Sequence, residues 1–96
     1  MDKETNDALR ACIPQISPPN LLLITRGIKE LGSQAVHEIL MKVKSFNDFN
    51  EANDPWGEHD FGSLDYEGKK IFWKIDDYKG LEGYNLVLTI MLAEEY

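Results

Sequence analysis

The run Leu86-Val87-Leu88-Thr89-Ile90-Met91-Leu92-Ala93 constrains the fold more than any other stretch, because in an extended chain its side chains are apolar on both faces. A strand of that kind belongs in the middle of its sheet. Upstream, Ile71, Trp73 and Ile75 alternate with Phe72, Lys74 and Asp76, the pattern of a strand with one buried face, and Trp73 is thereby placed in the core. Glu67-Gly68 joins this strand to the preceding one as a two-residue hairpin connector. Leu21 to Thr25 is an apolar run of strand length.

The helical part has a different period. Val36, Ile39, Leu40, Val43 and Phe46 fall at i, i+3, i+4, i+7 and i+10, one apolar stripe that should pack on a sheet. Thr25 is expected to cap a short helical turn through Arg26 to Leu31, closed by Gly32, and Ser33 to cap the striped helix. A first helix carries Leu9, Cys12 and Ile13 at helical spacing and stops near Ile13, before Pro14. Gly80 and Gly83 bracket a further connection. The order is helix, strand, helix, then three strands. It predicts an α+β fold: a single two-layer domain over residues 1–96, with helices on one face of a mainly antiparallel sheet of about four strands.

Ninety-six residues build one core and no cleft between lobes, which disfavours cofactor enzymes, and no cofactor is expected. The formal net charge is −7, and the ten basic residues are dispersed, so direct nucleic-acid binding is disfavoured. The same sign suits a basic protein partner, including one whose groove normally holds DNA or RNA. No apolar run reaches the roughly 20 residues of a membrane span, and Met1 to Arg10 lacks the apolar segment of a signal peptide. A cytoplasmic protein is expected. Cys12, the single cysteine, has no internal disulfide partner, and a small buried thiol is the expected reading.

The stretch Asn53 to Ser63, NDPWGEHDFGS, supports three readings. In the first, Glu58, His59 and Asp60, joined by Asp54, Asp76 or Asp77, ligate a metal or exchange protons as in a small metal-dependent hydrolase. Neighbouring residues of an extended chain point to opposite faces, however, and no H-x-x-x-H or C-x-x-C pair completes a site, so no catalytic or metal-binding residue is assigned. Nor does the chain carry a nucleophile elbow or a phosphate-binding glycine loop. In the second reading the motif is a turn: Asp54 accepts bonds from turn amides, Pro55 and Gly57 fix the bend, and His59 meets a buried backbone or carboxylate partner. In the third it is a recognition loop. From Ser45 to Gly68 there is no Lys or Arg, while seven acidic residues are interleaved with Phe46, Phe49, Trp56, Phe61 and Tyr66. Asp48, Glu51, Asp54, Trp56, Glu58, His59 and Asp60 are the candidate partner-binding residues.

Three motifs, NDPWGEHDFG, IFWKIDDY and LTIMLAEEY, resemble the pattern N-D-P-x-G-E-H-D-F-G, V-F-W-K-I-D-Y-Y and L-T-I-M-L-A-x-E-Y of a family of small uncharacterised, mostly proteobacterial proteins. The resemblance runs from Asn6 to Tyr96 and implies a single cytosolic domain of unknown function. Members of that family carry a longer Pro- and Asp-rich segment where this chain has only Lys79 to Asn85. The resemblance also implies a habit of travelling on phages and plasmids. The expected function is therefore a non-enzymatic acidic interaction domain, most concretely an anti-defence inhibitor of the anti-CRISPR or anti-restriction type. A metal-dependent hydrolase and a homodimeric accessory domain are the alternatives.

Overall fold

The computed structural model describes residues 3–81 and 84–96. Three helices, α1 (Lys3–Ala11), α2 (Arg26–Lys29) and α3 (Ser33–Lys44), accompany four strands, β1 (Leu21–Ile24), β2 (Phe61–Tyr66), β3 (Lys69–Leu81) and β4 (Tyr84–Leu92), and a 3₁₀ turn spans Ala93–Glu95. The sheet order is β1-β4-β3-β2, parallel between β1 and β4 and antiparallel elsewhere. The fold is α+β, and β4 is an interior strand, as its doubly apolar sequence requires.

Register divides the side chains. Ile71, Trp73 and Ile75 of β3 and Leu86, Leu88 and Ile90 of β4 face the helices and form one core with Leu9, Ile28, Ile39 and Val43. Burying each such aliphatic side chain contributes about 1.5–3 kcal/mol. Phe72, Lys74, Asp76 and Tyr78 alternate onto the other face, beside Val87, Thr89 and Met91. Glu67 and Gly68 both have positive φ, 49° and 82°, the conformation a tight two-residue hairpin needs.

Several local expectations are corrected. Ser33 is the first residue of α3 and Gly32 its N-cap, without a side-chain bond. Thr25 is the N-cap of α2, yet its hydroxyl donates to Glu95 (2.6 Å) and gives no cap bond to its own helix. Glu95 takes that role: its carboxylate also accepts from Gly27 N (3.0 Å) and Leu92 N (2.8 Å). Its carboxyl is held below the ordinary value, first by the Thr25 bond and then by the backbone donors. Cys12 is exposed, because the inward positions of α1 are Asn6, Leu9 and Arg10. The connection expected around Gly80 is strand as far as Leu81, and Gly83 lies outside the described residues.

Candidate functional site

The segment between α3 and β2 lacks regular structure but is densely bonded. Asn50 Oδ1 accepts from the amides of Ala52 (2.9 Å) and Asn53 (3.1 Å), and the Asn53 side chain accepts from Asn50 N (2.9 Å) and donates to Asp48 O (2.7 Å). Asp54 to Gly57 closes as a turn through Gly57 N donating to Asp54 O at 3.1 Å, with Gly57 at φ +65°. The Asp54 carboxylate then accepts from the amides of Glu58 (3.1 Å) and His59 (3.2 Å). These bonds hold His59 at φ +54°, a left-handed conformation that disfavours a residue with a Cβ.

His59 is braced on three sides. Its Nδ1 lies 2.9 Å from Asp7 Oδ1, its Nε2 lies 3.5 Å from Asp54 Oδ2, and its ring stacks on Phe49 at 3.7 Å between centroids. Asp7 leads to the buried Arg10, which donates to Asp7 (2.5 Å) and to the carbonyls of Phe46 (2.8 Å) and Val43 (3.2 Å), at the end of α3. The Arg10 guanidinium also lies over the rings of Trp73 (4.9 Å) and Phe49 (5.3 Å). Burial alone would raise the Asp7 carboxyl, but the bonds from His59 and Arg10 outweigh it and hold it low. Asn6, fully buried one turn before Arg10, donates to Glu58 O at 2.8 Å. The loop is thus tied to α1 and α3, and sequence reasoning missed Asn6, Asp7 and Arg10 because buried polar positions break an apolar stripe. Their signal was the helical spacing of Asn6, Leu9, Arg10 and Ile13, a stripe with polar members.

The seven candidate residues separate into two groups. Asp54 and His59 form the internal brace, while Glu58 and Asp60 sit half-buried beside it. Burial raises the Asp60 carboxyl, and the nearby Glu58, Asp54 and Asp76 raise it further. Asp48, Glu51 and Trp56 are exposed, Trp56 at 84 %. Of the interleaved aromatics, Phe46 and Phe49 pack edge-on to Trp73, Phe61 meets Phe72, and Tyr66 is buried, donating to Glu38 at 2.5 Å. Trp56 alone among these five projects outward.

The geometry does not gather a metal site. The carboxylates of Asp7 and Asp54 bracket opposite edges of the His59 ring, and among the described residues no group of three His, Cys, Asp or Glu side chains comes together to hold an ion. No helix among the described residues is long and apolar enough to cross a membrane.

Comparison with known families places residues 24–86 in DUF3768, described as a protein of unknown function. The chain belongs to the DUF3768 family. The matched span begins at the last residue of β1 and ends within β4, narrower than the Asn6 to Tyr96 stretch over which the resemblance was expected. It contains Arg26 to Ser45 with α2 and α3, the Trp56 loop and the β2–β3 hairpin; Asn6, Asp7, Arg10 and Glu95, which brace that DUF3768 region, lie outside it. No curated protein and no solved structure gives a significant match.

Proposed function

We propose that this chain is a non-enzymatic, acidic protein-interaction domain that presents Trp56 to a basic protein partner. The observation that carries the reading is Trp56, 84 % exposed at the tip of a turn whose backbone is pinned by Asp54 and braced through His59, Asp7 and Arg10. An indole on a mobile loop would lose both backbone and side-chain freedom on binding; here the backbone is already held, and only the side chain's own freedom is lost. Asp48 and Glu51 are exposed in the same segment, and the net charge of −7 extends the attraction for a basic surface. In its finer form, the partner is a nucleic-acid-handling defence protein and the domain is an anti-CRISPR or anti-restriction type inhibitor. Acidity supports this form, because a surface that repels nucleic acid is attracted to a site that binds it.

The test is comparative capture followed by kinetics. Wild-type, Trp56→Ala and Asp48→Lys/Glu51→Lys baits are exposed to bacterial lysate, and a partner recovered by the first is measured against all three at low and high salt. The charge reversal is expected to slow association and remove most of its salt dependence, while Trp56→Ala accelerates dissociation. Wild-type rates in both variants would refute the loop as the docking surface.

A further inference from the structure

The strand β2 lies at one end of the sheet and is paired on one side only, with β3. Ile75 N donates to Asp60 O at 2.8 Å, and the hairpin closes with Tyr66 opposite Lys69. An antiparallel strand turns the backbone groups of successive residues to opposite sides. Gly62, Leu64 and Tyr66 therefore bond to β3, while the N–H and C=O groups of Phe61, Ser63 and Asp65 point away from it. Among the described residues no hydrogen bond reaches these outward groups. A row of backbone donors and acceptors at strand spacing has one natural complement, another extended chain. The two edges of the sheet also differ. β1 is four residues long and follows Pro18-Pro19, and short length and neighbouring proline both blunt an edge. β2 is six residues of unbroken register with no Pro, no Lys and no bulge, and its one charge, Asp65, lies 3.6 Å from Lys70 of β3. Such an edge is open to pairing.

The sequence of β2 selects the occupant, because it is complementary to itself. Two copies laid antiparallel about a two-fold axis at Ser63 set Ser63 against its symmetry mate and Phe61 against the partner's Asp65, so that all three outward residues of each copy are paired. Three narrow pairs supply about six backbone hydrogen bonds between subunits. Neighbouring registers do worse. Centres at Gly62 or Leu64 would set Asp65 against the partner's His59 or Phe61 against the partner's Glu67, and both of those positions have positive φ and lie outside the strand. The faces agree with the Ser63 register. On the helix side the row Ile24, Ile90, Trp73 and Gly62 continues into Leu64 and Ile71 of the partner subunit, apolar throughout. Leu64, only partly buried in one copy, stands opposite the partner's Gly62, a position without a side chain. On the other side Asp65 meets the partner's Phe61, and no like charges are directly opposed.

We infer that β2 is the interface of a symmetric homodimer, in which the edge strands of two copies pair antiparallel about Ser63 and join two four-stranded sheets into one continuous sheet. The pairing goes beyond the Trp56 reading and does not depend on it. The net charge of −7 on each copy repels at long range, so the dimer tightens as salt rises, the opposite of the response to a basic partner.

The test uses the full chain, followed by sedimentation and by amide hydrogen exchange from micromolar to millimolar concentration at low and high salt. A monomer–dimer equilibrium is expected. At its dimeric end the amides of Phe61, Ser63 and Asp65 should exchange about tenfold more slowly or better, while those of Gly62 and Leu64, already bonded to β3, change little. Ser63→Pro removes the central N–H at an edge position that tolerates proline and should return the chain to monomer. Exchange and cross-linking decide the matter without that variant should it fail to fold. In a Cys12→Ser background, which removes the exposed native thiol, Ser63→Cys should cross-link in oxidised glutathione, because a narrow pair holds its Cα atoms about 5.5 Å apart, within disulfide reach. Asp65→Cys should not, its symmetry mate lying more than about 13 Å away. Trp56→Ala should leave the dimer intact. The inference is overturned by a chain that stays monomeric at millimolar concentration in high salt, by a dimer whose protection misses those three amides, by equal cross-linking at both positions, or by a dimer that survives Ser63→Pro.

Discussion

Substituting Gly62 by alanine tests the packing around Trp73, the ring on which Phe46, Phe49 and Arg10 converge. Gly62 pairs with Trp73 across the β2–β3 ladder, and a Cβ built on Gly62 would lie 2.3 Å from the indole Nε1, 2.5 Å from Cε2 and 2.7 Å from Cζ2. The indole has no room to retreat, because Trp73 is fully buried and held by the Phe46 and Phe49 edges and the Arg10 guanidinium. Two terms compete. Alanine in a strand interior gains about 0.5–1 kcal/mol over glycine through unfolded-chain entropy, whereas overpacking a filled core typically costs about 1–3 kcal/mol and more when nothing yields. The clash wins, and Gly62→Ala should destabilise by about 2 kcal/mol in urea unfolding. In a Trp73→Leu background all three clashing atoms are gone, so the same substitution should become neutral or stabilising. That inversion of sign within a double-mutant cycle is the decisive readout. Equal costs in both backgrounds would show that the penalty comes from the backbone and not from the indole.

Other perturbations have definite signs. Tyr66 donates to Glu38, and that bond, aided by burial, pushes its hydroxyl from 10.0 up to about 12, so the stabilisation is complete below pH 10 and disappears as pH rises through about 12. The difference in urea midpoint between wild type and Tyr66→Phe should narrow to about half its pH 8 size at about pH 11, because that pH lies midway between the unfolded and folded values. Glu95→Ala removes one acceptor from Thr25, Gly27 and Leu92 and should cost about 0.5–2 kcal/mol, as loss of a helix cap does. Because its folded value is lowered, this contribution is present above the ordinary 4.5 and lost as pH falls through the lowered value, so acid titration of wild-type stability should carry a component absent from the variant. Asp60 is raised by burial and by its acidic neighbours, which means that its ionisation opposes folding; Asp60→Asn should raise the thermal midpoint at neutral pH, with the gain vanishing below the ordinary 3.8.

The sequence by itself determined the elements and their faces. Period 3.6 in Val36 to Phe46, period 2 in Ile71 to Ile75 and the doubly apolar Leu86 to Leu92 each report a local geometry set by backbone sterics, and side chains so spaced can be buried only one way. The Asp54 turn was legible for the same reason, since Pro55 and Gly57 act within four residues of the amides they position. Tertiary structure alone decided the rest. Asp7 meets His59 across 52 positions, Arg10 reaches Phe46 across 36 and Glu95 caps α2 across 68, and no periodicity encodes a polar contact between distant segments. It also decided which aromatics of the acidic run are anchors: Phe46, Phe49 and Tyr66 turn inward to the core around Trp73, and Phe61 packs on Phe72 and Tyr96 on the other face of the sheet, leaving Trp56 outside. The second apolar face of β4 was visible as Val87 and Met91, but that no helix of the described chain covers it follows only from α1, α2 and α3 packing on the same side of the sheet.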